Sequence, residues 1–103
     1  MIEIDDALPG ADLVRTGLGD LSADRLSIEA LVVAIAWPRL RRLGVAIPPA
    51  AIAATASEPC AELQLYQLLR QQYPRDAYAR YNALIRRLIR FCHALEQATK
   101  RAA

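Results

Sequence analysis

The stretch from Asp76 to Ala103 constrains the fold more than any other, because it reads as one helix with two opposed faces. At about 100° per residue, Ala77, Tyr78, Tyr81, Leu84, Ile85, Leu88, Ile89, Cys92 and Leu95 fall on one side, with Phe91 at its edge. Arg80, Arg86, Arg87, Arg90, Lys100 and Arg101 fall on the other. The apolar arc is about 160° wide, whereas one packing partner needs a stripe of roughly 100°. Such a helix is expected to pack against more than one neighbour and to offer a row of guanidinium groups outward.

The rest of the chain fits an all-α fold. Its 103 residues suit one domain, and a hydrophobic fraction of 54% against 23% charged argues for a packed core. Trp37 is the one aromatic in the first half, amid abundant Ala, Leu, Ile and Val, a mixture that favours helices over short strands. Residues 1–8 are acidic and are expected to be flexible, as chain ends often are. From Ala11, Leu13, Val14, Gly17, Leu18 and Leu21 recur at helical spacing, and Gly17 could let a second helix come close. Ser22 or Ser27 could cap the next helix, Ile28 to Ala36, whose apolar run from Ala30 to Trp37 should be the most buried element. A buried strand is the rival reading there, but no second strand-like run exists to pair with it.

Pro38 can open a short helix ending near Leu43, with Gly44 closing it. Val45 to Ser57 reads as a Pro- and Ala-rich connector, with a turn of helix at most. Ser57 with Glu58-Pro59 then looks like a helix start, followed by a stripe of Leu63, Tyr66, Leu69 and Tyr73 flanked by Leu65 and Leu68. Pro74 ends that helix and Asp76 caps the last. The expected fold is a compact bundle of four to five helices in a single domain, 1–103, with a long amphipathic C-terminal helix.

Charge is segregated along the chain. Residues 1–29 hold seven acids against Arg15 and Arg25, a net of −5, and the remainder holds eleven bases against four acids, a net of +7. The acidic start can therefore cover part of the basic end, within or between chains. The opening Met-Ile-Glu-Ile-Asp-Asp has neither the basic nor the apolar region of a secretory signal, and the longest apolar run is far short of the ~20 residues that span a bilayer. These features predict a cytoplasmic protein with no membrane partner, in which Cys60 and Cys92 are free thiols.

Motifs for chemistry are weak. Gly17-Leu-Gly-Asp-Leu-Ser22 lacks the third glycine and the preceding strand of a dinucleotide loop. Asp20, Ser22 and Asp24 resemble the start of a calcium loop, but Arg25 and Leu31 stand where glycine and the bidentate acid are needed. Cys92 and His93 project about 100° apart and cannot converge on an ion or form a nucleophile pair. The reading is therefore no cofactor, no metal and no enzyme activity.

Two constellations remain. Tyr66, Tyr73, Tyr78 and Tyr81 gather near one junction and are candidates for a small-ligand pocket. Arg39, Arg41 and Arg42 on one helix, with Arg80, Arg86, Arg87 and Arg90 on another, would make an anion- or nucleic-acid-binding face if both rows pointed the same way. Stacking aromatics do not interleave with these arginines, and no recognition helix follows Gly44. The expected function is a small non-enzymatic interaction protein that self-associates as a dimer, through the last helix or the Ala30–Trp37 segment. A nucleic-acid-binding accessory role stands second.

Overall fold

The computed structural model describes residues 4–102 and folds them into six helices: α1 (Ala11–Ser22), α2 (Ile28–Ile35), α3 (Trp37–Arg42), α4 (Pro49–Ala56), α5 (Ala61–Gln72) and α6 (Ala77–Ala102). No strand occurs among the described residues, so the all-α expectation holds, and Ala30–Trp37 is helical except for a turn at Ala36. The helices enclose one core, and the radius of gyration of 13.4 Å is close to the ~13 Å of a 100-residue domain. Helix α2 lies at the centre and touches α1, α4, α5 and α6. Its residues Ala30 to Ala34 have essentially no exposed surface, as an all-round apolar helix requires.

The caps follow from local chemistry. Ser27 is extended, and its hydroxyl accepts the Ala30 N–H at 3.1 Å while donating to Asp20 at 2.5 Å, which links the end of α1 to the start of α2. Of the two candidate caps, Ser27 is the one used; Ser22 instead donates back to the Leu18 carbonyl at 2.9 Å. At the end of α3, Gly44 adopts φ 96°. This lets its N–H reach the Arg41 carbonyl and the Val45 N–H reach the Leu40 carbonyl, both at 3.0 Å. That double closure is a Schellman turn, and it needs the left-handed conformation that glycine takes at little cost.

The bundle has six helices where four to five were expected, because residues 45–57 are more than a connector. Pro49 sits at the first helical position behind an extended Pro48, and the following alanines are strong helix formers. Ala51 and Ala54, one turn apart, are buried and small enough for α4 to lie close to its neighbours α2 and α1. The hydrophobic stripe that signals most helices is weak in so alanine-rich a segment. Ser57 also behaves differently from expectation. Its hydroxyl donates to the Ala53 carbonyl at 2.8 Å, which closes α4, and α5 begins four residues later behind Cys60.

Two buried faces are rotated from those expected. On α5 the core residues are Ala61, Leu65 and Leu69, whereas Leu63 is 45% exposed and Tyr66 and Tyr73 are half-buried. The line through the tyrosines has helical spacing too, but the buried line runs through Ala61, Leu65 and Leu69, at intervals of four. On α6 the buried residues are Ala77, Leu88, Phe91, Cys92 and Leu95, so the buried arc is turned toward Phe91, which is fully buried although it stands at the arc's edge. Of the acidic start, residues 1–3 lie outside the described residues. Ile4 belongs to the core, and Arg15 on α1 binds both the Ile4 carbonyl and the Asp6 carboxylate, so residues 4–8 are tied down.

Candidate interaction surface

The seven arginines are divided among several environments. On α6, Arg87 donates to both carboxylate oxygens of Asp12 on α1, at 3.0 and 3.1 Å. This bond is the main reason that the Asp12 carboxyl titrates below its usual 3.8. The acidic start of the chain therefore covers part of the chain's own basic row. Arg80 stacks on Tyr73, with its guanidinium carbon 3.6 Å from the ring centre. Arg39 on α3 reaches Glu96 at 3.5 Å. Glu96 and Arg87 are nine residues apart, which places them about 180° apart around α6. The arginine of α3 and the paired arginine of α6 therefore sit on opposite flanks of the long helix and share no face. Arg41, Arg42, Arg86 and Arg90 are exposed and make no ion pair among the described residues.

The tyrosines also separate. Tyr66 and Tyr81 meet edge to face, with ring centres 6.1 Å apart. Partial burial raises the Tyr81 phenol above its usual range, and the nearby Glu62 and Cys60 add to that shift. Tyr73 lies with Arg80, about 100° around α6 from Tyr81. Tyr78 is 71% exposed. Tyr73 does border a cleft of about 280 Å³ between α2, α5 and α6, whose walls carry Arg80, Arg87 and Glu29 over Leu69 and Leu84. A second cleft, of about 530 Å³, lies between the end of α1 and the start of α4, beside Leu21, Asp24, Ile47 and Pro48. The Pro48-Pro49 pair that opens α4 shapes its rim, and no polarity pattern in the sequence marked it.

Among the described residues, no group of three or more His, Cys, Asp or Glu side chains could hold a metal ion. Asp20 is engaged by Ser27 and by Arg25, the latter at 3.2 Å. Cys60 is exposed and Cys92 is buried, and burial raises the Cys92 thiol above its usual range. No described helix is long and apolar enough to cross a membrane.

What remains open is one flank of α6. Tyr78, Ile85 and Ile89 recur at intervals of seven and four, so they line up along the helix as the apolar positions of a heptad do. Ile89 is 51% exposed, and Ile85 is half-buried between it and the core. Glu96, five turns beyond Tyr78, lies on the same line, and Arg39 covers it there. The strip is thus about three turns long and is closed at one end by α3. No family model, curated protein or solved structure matches this chain.

Proposed function

We propose that the protein is a small, non-enzymatic, cytoplasmic interaction module that self-associates through the outer flank of α6. The observation that carries this reading is the Tyr78–Ile85–Ile89 strip, an apolar line interrupted at Asn82, with Tyr78 and Ile89 exposed and Ile85 half-buried. Scattered exposed apolar residues are ordinary, but aligned ones bordered by polar side chains mark contact surfaces. The alternative contact segment, Ala30–Trp37, offers less surface: Ala30 to Ala34 are buried, and Ile35, Ala36 and Trp37 are half-buried.

A stable pairing should bury more than about 1,000 Å² in total, so the strip must bring its surroundings with it. Sedimentation across a micromolar dilution series is the direct test. The expected result is a dimer that dissociates when Tyr78 and Ile89 are both replaced by Ser, with helix content unchanged. A wild-type chain that is monomeric throughout the series overturns the reading.

A second reading, binding of duplex nucleic acid, is favoured only by the exposed Arg41, Arg42, Arg86 and Arg90. At most these four of the seven are free to release counterions, so the logarithm of affinity should fall with that of salt at a slope no steeper than about −4. Replacing Arg86 and Arg90 by Gln should reduce the slope by about two. Absence of binding at low salt removes this reading.

A further inference from the structure

The apolar strip on α6 carries one polar residue. Asn82 follows Tyr78 by four positions and precedes Ile85 by three, and Ile89 comes four later. Intervals of four, three and four are those of the a and d positions of a two-stranded coiled coil. Asn82 points within about 40° of the line through Tyr78, Ile85 and Ile89. It is half-buried, and its side-chain amide has no hydrogen-bond partner among the described residues. The next positions of the same pattern are withdrawn, since Cys92 is buried in the core and Arg39 covers Glu96. The open seam therefore holds Tyr78, Asn82, Ile85 and Ile89, with an amide as its second member.

An amide on such a seam is selective about what faces it. It both donates and accepts, so two amides satisfy each other, whereas an amide set against isoleucine loses water and gains no partner. The spacing then limits how two copies can pair. With the α6 helices antiparallel and overlapping over the whole seam, Tyr78 faces Ile89 and Asn82 faces Ile85. Shifting the antiparallel pair until Asn82 faces Asn82 sets Ile85 against Ala79, and Ile89 against Arg75, which lies before the start of α6. With the helices parallel, the two-fold axis runs along them and each residue faces its own copy. Of the three arrangements, only the parallel one pairs amide with amide and keeps both isoleucines in the seam.

Resting on the self-association proposed above, we infer that two copies pair through α6 in parallel and in register, with Asn82 hydrogen-bonded to the Asn82 of the second copy between layers of Tyr78 and Ile85. The isoleucines supply the contact. The amide pair lowers affinity but restricts the association to two chains, one direction and one register.

Disulfide cross-linking reads the direction. In a Cys60→Ser background, which leaves only the buried Cys92, Tyr78→Cys and Ile89→Cys are each oxidised at a concentration where sedimentation shows a dimer. Parallel chains place each new thiol beside its own copy, so both variants should cross-link alone, and mixing them should add no faster product. Antiparallel chains overlapping over the seam leave like thiols about 16 Å apart, far beyond the ~4 Å between the Cβ atoms of a disulfide, and cross-link only in the mixture. That result overturns the inference while self-association stands. Asn82→Ile, placed in the same cysteine backgrounds, tests the amide. It should tighten the dimer about tenfold or more and relax its specificity, so that the mixture also cross-links or larger assemblies appear, with helix content unchanged by circular dichroism. If affinity or cross-linking pattern stays as in the parent chain, Asn82 does not set the pairing and the inference falls in the same way. A wild-type monomer at every concentration defeats both readings.

Discussion

Arg87 grips both carboxylate oxygens of Asp12, joining α6 to α1 across 75 positions of sequence. The pairing holds the Asp12 carboxyl below its usual 3.8, with the hydrogen bond from Arg87 the largest cause. A carboxyl depressed in the folded state contributes stability that is present above its unfolded value and is lost as pH falls through the folded one. Asp12→Asn should therefore be less stable than wild type at neutral pH, and the difference should close in acid, below about pH 4. Urea midpoints measured from pH 7 to pH 2 check this. A gap that persists at the acid end would mean that Asp12 acts through something other than its charge.

Gly17 and Gly19 are two positions apart on α1 and should respond to alanine with opposite signs. A Cβ at Gly17 would collide with the backbone carbonyl of Glu29 and with Val33 on α2, because the two helices cross there at closest approach. Neither neighbour is a flexible side-chain end, so Gly17→Ala should cost about 1–3 kcal/mol. At Gly19 nothing lies within 4 Å of the added carbon. There the higher helix propensity of alanine should stabilise the protein by up to about 1 kcal/mol. Thermal or chemical denaturation of the two variants, compared with wild type, reads both signs.

Phe91 and Ile89 separate core from surface on one helix. Phe91 is 0% exposed and fills the centre of the bundle, so Phe91→Ala should cost about 3–5 kcal/mol. Ile89→Ser removes a side chain that is half in water, and under dilute conditions its effect on unfolding should stay within about 0.5 kcal/mol. Equal losses at the two positions would mean that Ile89 is packed within its own chain.

The two cysteines should label at different rates. Cys60 stands in the open at the start of α5, whereas Cys92 is buried and its thiol is shifted upward by that burial. Under native conditions a maleimide should modify one thiol per chain quickly, and Cys60→Ser should abolish that fast phase. The second thiol should become reactive only as the fold opens.

Sequence periodicity was sufficient for α1 and α6, where apolar residues recur at helical spacing, whereas the all-round apolar α2 shows no stripe and follows from the lack of a second strand to pair with it. It was also sufficient for Gly44, whose place after Leu43 marks a helix end regardless of context. It was insufficient where small residues do the packing. In α4, and at Ala61 on α5, burial depends on how closely a neighbour approaches, and side-chain hydrophobicity does not encode that distance. The interaction strip was half legible. A broad arc on α6 announced surplus apolar surface, but which part stays uncovered follows from where α1, α3 and α5 lie. The arginine rows illustrate the same limit, since only tertiary structure puts Asp12 beside Arg87 and Glu96 beside Arg39.

The indole N–H of Trp37 donates to the Thr55 hydroxyl at 2.9 Å, tying the start of α3 to the end of α4. Trp37 is the single tryptophan of the chain. Its fluorescence is therefore a natural reporter of one joint, the seating of the small alanine helix against the rest. Loosening of α4 would change that emission while the far-ultraviolet signal, dominated by α6 and its long neighbours, stayed nearly constant. Comparing the two signals during unfolding distinguishes a bundle that melts as a unit from one that first sheds its smallest wall.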